Sequence, residues 1–504
     1  MRLLLLFFVL IPAFTFSNPS EGELRNTYLS WKEKKINLYG KSFYNSNMGF
    51  YYPVNRDLKV STFLNYNKKN KSLLDYEGNE VFEFGFSSDG FYKKNNNIIL
   101  FGAVNFTKDI SNGVSWSNVL DYSLLYPYIV ADSCKGKMFS ESYFIHGGFL
   151  KKEGVFLWGL HGNYRASTAF SKKDPRSHIL LSQFKIGFTG GINIRSYVFQ
   201  TTFDYGKYKQ KIGIKNVSDD RIDYFFSLKG FGRFDDQISG RFENFNYFYQ
   251  GTNVFIGAKF FRKDYKSFYL KSGINIDSYE VQLDLRNPYN LKTKNYFFEF
   301  GNFFEWYDFD YLLKLKGDFL SRRGIERRYK TEKLPEQSIW NFILLSEGVQ
   351  YRSNCSDLSI GLSANYSFIS DNDIYLNLDM SYLDYNSVYA NSSDFAKYSK
   401  LYFQGKLGTT LEKNNHLFRI EISIGKTNLL DSKFNIESED KASGRMFYRE
   451  FRFYTQEFIR KGIEVKHSYL MNKGKAYYTA IYLRDNWSKE IKWIESGLSV
   501  GFQF

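Results

Sequence analysis

The chain ends on Ile491-Lys-Trp-Ile-Glu-Ser-Gly-Leu-Ser-Val-Gly-Phe-Gln-Phe504, and this stretch decides the fold. From Ile494 onward, Ile494, Ser496, Leu498, Val500, Phe502 and Phe504 fall on one face, with Glu495, Gly497, Ser499, Gly501 and Gln503 on the other. That is the period-two pattern of a strand with one largely apolar face. Such a strand needs a partner on both edges. In a closed barrel the last strand finds its second partner in the first.

The same alternation recurs upstream. Phe82, Phe84 and Phe86 oppose Glu83, Gly85 and Ser87, and Leu100, Gly102, Val104 and Phe106 oppose Phe101, Ala103 and Asn105, with the turn formers Asn95 to Asn97 between the two runs. Leu358, Ile360, Leu362, Ala364 and Tyr366 alternate with small polar residues. Leu376, Leu378 and Met380 do the same, as do Phe418, Ile420, Ile422 and Ile424. Two packed sheets produce this alternation too, but one sandwich does not need so many strands. The expected fold is an all-β transmembrane antiparallel barrel of about 16 to 20 strands, even in number.

Composition agrees. Of 504 residues, 20% are aromatic, including 41 Tyr and 52 Phe, and only 7 are Pro. Strand interiors favour the first and exclude the second. A mean hydropathy of -0.42 is compatible with a barrel, in which only alternate strand residues meet lipid. Met1 and Arg2 precede the apolar run Leu3 to Phe16 and the small residues near Ser17, so residues 1–17 are expected to be a signal peptide. No later run is long enough to span as a helix. Residues 18–57 are expected to form a periplasmic segment, with a short helix over Glu23 to Lys35 or else a frayed tail, and 58–504 to form the barrel. About forty residues before the first strand are too few for a separate plug domain, so a TonB-dependent receptor is not expected.

Net charge is +15 with a pI near 9.2. In an exported β-protein this suits either a lysine-rich loop surface or affinity for anionic lipopolysaccharide or solute. The run Ser321 to Lys330 carries Arg322, Arg323, Arg327, Arg328 and Lys330. It reads as a solvated loop or as a grip for phosphate groups. The expected inward faces carry Glu83, Lys271, Asp277, Asp379, Lys406, Arg419, Glu421, Glu450 and Arg452. Arg419 and Glu421 are the gating candidates among them. Mixed charge is also simply what fills a polar lumen. Cys134 and Cys355 have no metal-type spacing, and whether they pair is left open. None of the five histidines sits in a catalytic motif, and no metal or cofactor is expected. A hydrolase is kept as a third reading, with His161, beside Tyr164 and Arg165, the residue to test; His178 is second.

One segment departs from strand patterning. Val114-Ser-Trp116-Ser-Asn118-Val119 is followed by Asp121, Tyr126-Pro127-Tyr128, Ala131-Asp132-Ser133, Glu141, Gly147-Gly148, Trp158-Gly159, Tyr164-Arg165-Ala166 and Asp174-Pro175-Arg176. This resembles an uncharacterised outer-membrane β-barrel family of the Bacteroidota, whose members are often encoded beside TonB-dependent receptors and surface lipoproteins. Ser177 and His178 depart from the family pattern after Asp174-Pro175-Arg176. The resemblance implies a Gram-negative outer membrane and a barrel, but no catalytic residues. Expected partners are outer-membrane lipid and lipopolysaccharide, the barrel insertion machinery, which reads a terminal signature such as Phe502 and Phe504, and, from the resemblance, a TonB-dependent receptor or surface lipoprotein.

The irregular segment 114–140 cannot face lipid, because its backbone groups lack partners there. It is expected either to fold into the lumen or across one mouth, or to form a long surface loop. In the first case Asp121, Asp132, Arg165 and Arg176 are candidates to tie it to the wall, with Asp174 beside them. The leading functional expectation is a conduit, or an accessory subunit of an uptake complex. The alternative is a non-conducting scaffold that docks partner proteins.

Strand parity resists on one count. With Phe504 and the turn at Asn472 to Lys475 at the periplasmic end, stepping back places the long stretch Asn428 to Arg445 there too, where turns should be short.

Overall fold

The computed structural model describes residues 56–503 apart from 218–223, 264–266, 284–285, 334–339, 370–371, 414, 438–440 and 472–474. The expected signal peptide, the helix at Glu23 to Lys35 and Phe504 lie outside the described residues. The chain begins with β1 (Arg56–Lys69), β2 (Glu80–Asn95) and β3 (Ile98–Val114), then a short helix α1 (Tyr122–Leu125) and β4 (Tyr128–Asp132). It continues through β5 (Gly136–Glu153), β6 (Phe156–Ser171), β7 (Arg176–Ile194) and β8 (Tyr197–Lys215) to the short strands β9 (Tyr224–Gly230), β10 (Arg233–Phe234) and β11 (Gly240–Arg241). Then come β12 (Asn244–Arg262), β13 (Tyr269–Leu283), β14 (Arg286–Trp306), β15 (Phe309–Lys333), β16 (Trp340–Ile369), β17 (Asn372–Tyr389), β18 (Phe395–Lys413) and β19 (His416–Asn435). Helix α2 (Ala442–Tyr454) precedes β20 (Ile459–Met471), β21 (Lys475–Trp487) and β22 (Lys492–Gln503).

Eighteen of these strands form one antiparallel sheet, all but β4 and β9 to β11. It closes where β1 pairs with β22, from Lys59 opposite Gln503 to Lys69 opposite Trp493. Closure removes both free edges. Among the described residues no helix is long and apolar enough to cross a membrane.

Alternation decides what each side of the wall meets. On β19, Ile422 and Ile424 point outward at 58% and 56% exposure, while Glu421, next to Ile422, is 8% exposed. Leu376, Leu378 and Met380 on β17 and Ile494, Leu498 and Phe502 on β22 repeat the outward apolar row. An apolar exterior around a polar interior is the membrane-barrel arrangement and the inverse of a soluble protein. Trp306 and Tyr307 at the β14–β15 turn stand well exposed beside Phe304, Phe309 and Tyr311. Such aromatics suit a membrane–water interface.

The two ends differ. Tight turns at 96–97, 154–155, 195–196 and 307–308 lie at the end where β22 finishes, and the long connections 115–135, 216–243 and 436–458 lie at the other. This corrects the parity expected near Asn428 to Arg445. β19 runs on to Asn435, and one strand, β20, separates the connection after it from the start of β21 at Lys475, so those two lie at opposite ends.

Two further expectations are corrected here. Ser321 to Lys330 is not a loop but part of β15, so its cations alternate between lumen and exterior. Glu450 and Arg452 sit on α2 rather than on an inward strand face. Cys134 and Cys355 form no disulfide.

Candidate functional site

The long connections do not stay outside; they fold into the lumen and meet. β4, from the β3–β5 connection, pairs antiparallel with β9, from the β8–β12 connection, with Tyr128 opposite Lys229 and Asp132 opposite Phe225. β9 pairs in turn with β10 and β11. The resulting sheet crosses the interior, so every residue of β4 is buried and Ile129, Val130 and Ala131 are fully so. Trp116, Val119, Leu125, Phe225, Leu228 and Ile238 from these connections pack against Ile179, Ile212, Tyr249, Val281 and Leu291 of the wall. Each such side chain contributes about 1.5–3 kcal/mol on burial. The irregular segment therefore forms a plug, not a surface loop.

Polar contacts fix the plug to the wall. The Tyr249 hydroxyl donates to the Tyr128 carbonyl at 3.0 Å and accepts from the Val130 N–H at 3.2 Å. Gln210 accepts from the Leu120 N–H at 3.2 Å, and Arg322 donates to the Ser123 carbonyl at 2.7 Å. The Arg165 guanidinium on β6 is paired with the Asp121 carboxylate. Tyr289 stacks on Tyr128 with centroids 4.5 Å apart and donates to Asp235 at 2.8 Å. Lys229 reaches Glu326 at 3.4 Å, and Glu326 also accepts from Tyr389 at 2.7 Å. Arg233 on β10 pairs with Asp394 and, at 2.6 Å, with Glu437.

Helix α2 closes the remaining gap. Phe447 and Phe451 bury against Phe231, Tyr351 and Tyr398, while Met446 joins the core that holds Trp116 and Leu125. The Ser443 hydroxyl donates to the Gly232 carbonyl at 2.6 Å. Gly232 has φ +71, and a Cβ there would lie 2.5 Å from the Gly444 Cα, so only glycine lets turn and helix approach. Glu450 is buried in the middle. It accepts from the Tyr122 hydroxyl at 3.4 Å, and Tyr122 stacks on Tyr76 with centroids 3.7 Å apart. Burial first, then the charges of Glu77 and Asp75, pushes its carboxyl up to about 8. Burial likewise holds the Tyr122 phenol well above its usual range. Tyr76 and Tyr454 share a hydroxyl contact at 2.9 Å, and Arg449 pairs with Asp75.

Of the four residues expected to tie the segment to the wall, Asp121 and Arg165 meet. Asp132 accepts from the Asn118 side chain and the Cys134 N–H, both at 2.8 Å, which braces the segment from within. Arg176 does not reach the plug: it pairs with Asp174 of its own turn at 2.9 Å, because its position on β7 points outward. A small open cleft separates this turn from the start of the segment, lined by Ser117, Asn118, Asp132, Lys137 and Lys173.

Nearer the short-turn end, Arg419 and Glu421 do come together, at 2.9 Å, with Lys406 3.3 Å from Glu421. Tyr375 bridges them, accepting from Arg419 and donating to Glu421, both at 2.9 Å. On the opposite wall His161 and Asp204 meet at 2.9 Å. Both lie in register with Gly187 of the intervening β7, whose Cβ would fall 2.3 Å from the imidazole Nε2. Among the described residues no three metal-ligating side chains cluster.

The sequence reading missed β9 to β11 and α2. Met446, Phe447, Phe451 and Tyr454 are helically spaced, and that signal was available.

No curated protein matches the chain significantly. Among solved structures, the ferric preacinetobactin receptor BauA of Acinetobacter baumannii is similar at 8% identity and a TM-score of 0.40, over 89% of this chain and 80% of that one. The Escherichia coli outer membrane transporter YddB is similar at 7% identity and a TM-score of 0.41, over 88% and 80%. OccAB3 of Acinetobacter baumannii is similar at 10% identity and 0.29, over 89% and 99%. A family model matches residues 52–504, and the chain belongs to that family, DUF6850, a family of unknown function.

Proposed function

We propose that the chain is an integral outer-membrane barrel acting as a gated conduit, with the long-connection end outside the cell and the plug as its gate. The observation that carries this is the β4–β9 pairing across the lumen, made by two connections that each remain attached to the wall. A closed apolar-sided barrel supports residence in a bilayer. A lumen lined by Arg419, Glu421, Lys406, His161 and Asp204 below a removable obstruction is suited to passing a polar solute.

The depth of the seal also favours a second reading, a scaffold that never opens and presents its rim to partner proteins. Planar-bilayer recording separates the two. The gated conduit predicts rare openings in the native chain and stable conductance once residues 116–133 are replaced by a short linker. Silence from a replaced barrel that has inserted and remains heat-modifiable leaves the scaffold.

A further inference from the structure

The basic stretch of β15 acquires a different meaning once its alternation is known. Lys292 on β14 lies directly opposite Arg323 on β15, and Arg323 lies directly opposite Arg352 on β16. All three are exposed and share the outward face. Like charges directly opposite one another on a sheet repel, and a chain gains nothing by stacking three unless an anion joins them. No carboxylate among the described residues pairs with any of the three. The nearby Glu347 and Glu280 lie 2.9 and 3.9 Å from Arg327, and Glu280 also accepts from Asn290 at 2.9 Å.

What lies on either side identifies the anion. Toward the short-turn end one further polar row, Lys294, Ser321 and Asn354, leads into an apolar one: Tyr296 opposes Phe319, four residues from Lys292 and Arg323, and Leu358 follows on β16, all three exposed. Toward the other end come the long connections. The cations thus stand at the rim of the apolar band, at headgroup level. The register row continues through Ser278 and Thr252 to Lys207 on β8, where Lys209 and Lys211 extend it. Lys207 lies 5.8 Å from the Tyr205 ring and Lys211 5.6 Å from the Phe248 ring, stems along aromatic surface with charges free to reach outward.

We propose that Lys292, Arg323 and Arg352 form a headgroup site for a phosphorylated lipid on the outside of the barrel, its acyl chains lying over Tyr296, Phe319 and Leu358. Planar guanidinium forks are matched to phosphate oxygens, and three cations in a row suit a headgroup with more than one negative charge. This rests on the outer face being in lipid. It adds a ligand class and a leaflet, since the site lies at the long-connection end.

The full chain, folded into phosphatidylcholine vesicles containing a small fraction of spin-labelled phosphatidic acid or of spin-labelled phosphatidylcholine, provides the test. The native barrel is expected to immobilise the phosphatidic acid label preferentially. Lys292→Gln with Arg323→Gln and Arg352→Gln should lower that preference several-fold, and Arg323→Lys with Arg352→Lys should retain part of it. Equal immobilisation of the two labels by an inserted, heat-modifiable barrel overturns the site and leaves the barrel intact, as does a preference that survives the triple variant. Binding of inorganic phosphate in equilibrium dialysis without any lipid preference assigns the cations to a soluble anion and overturns the lipid. A chain that fails to insert overturns the membrane reading, and this proposal with it.

Discussion

The Asp121 carboxylate at the start of α1 and the Arg165 guanidinium on the inward face of β6 form an ion pair that joins the plug to the wall. Removing one partner leaves the other charge half-buried and uncompensated, which is costlier than losing the pair. Arg165→Ala is expected to raise open probability in planar bilayers, with a smaller effect from Asp121→Asn. The charge-swapped double variant, Asp121→Arg with Arg165→Asp, should move back toward the native record. Native gating in Arg165→Ala would show that the pair does not hold the gate.

In the proposed gate, Glu450 is expected to confer a pH dependence. Its carboxyl is protonated up to about 8 in the closed plug, against 4.5 for a free glutamate, so the closed state binds one more proton than the open one. The contribution of Glu450 to closure is therefore fully present below the ordinary carboxylate range and is lost as pH rises through about 8, by at most about tenfold per pH unit. Tyr122, Tyr76 and Tyr454 face the carboxyl, and Asp75 and Glu77 add negative charge that sharpens the effect. Conductance should rise between pH 5 and pH 8, and Glu450→Gln should flatten that rise. An unchanged pH profile in Glu450→Gln would remove the carboxyl from the gate.

Gly187 supports the His161–Asp204 contact by having no side chain. A Cβ there lies 2.2 Å from the Asp204 carboxylate and 2.3 Å from the His161 ring, so Gly187→Ala must push both apart. The expected loss is about 1–3 kcal/mol in urea unfolding from vesicles. A His161→Ala background should reduce it, because one of the two crowded groups is gone. Full stability of Gly187→Ala would mean that the pair yields freely.

The two faces of β19 offer a direct test of orientation. Ile422 is 58% exposed on the outer side, and Ser423 beside it faces the lumen. Ile422→Arg should cost about 2–4 kcal/mol in membrane stability, whereas Ser423→Arg should leave stability near native and alter ion selectivity. Equal costs would contradict the assignment of faces.

The barrel wall was legible in the sequence because lipid and lumen make opposite demands on adjacent residues. Runs such as Leu358 to Tyr366 and Phe418 to Ile424 record this directly. The irregularity of Trp116 to Ser133 was legible too, since nothing in a strand requires its mix of residues. The rest of the plug was not. β9 is buried on one face and half-buried on the other, both inside the lumen, so Tyr224-Phe-Phe-Ser-Leu-Lys-Gly230 shows no period that distinguishes it from a wall strand. In α2, Arg449-Glu-Phe-Arg-Phe453 alternates by chance like a strand, which placed Glu450 and Arg452 on a wall they never join. Arg176 was expected to meet the plug because it is charged and close in sequence. A one-residue change of parity on β7 decides that it does not.

Each piece of the plug is tethered at both of its ends. Residues 115–135 leave β3 at Val114 and return to β5 at Gly136, and residues 436–458 are held the same way between β19 and β20. Unlike a cork, such pieces cannot be expelled; they can only swing aside and remain in the mouth. In the proposed conduit the largest solute that passes would then be set by loop lengths rather than by barrel diameter, so insertions or deletions within these connections would retune the filter without altering a single wall strand.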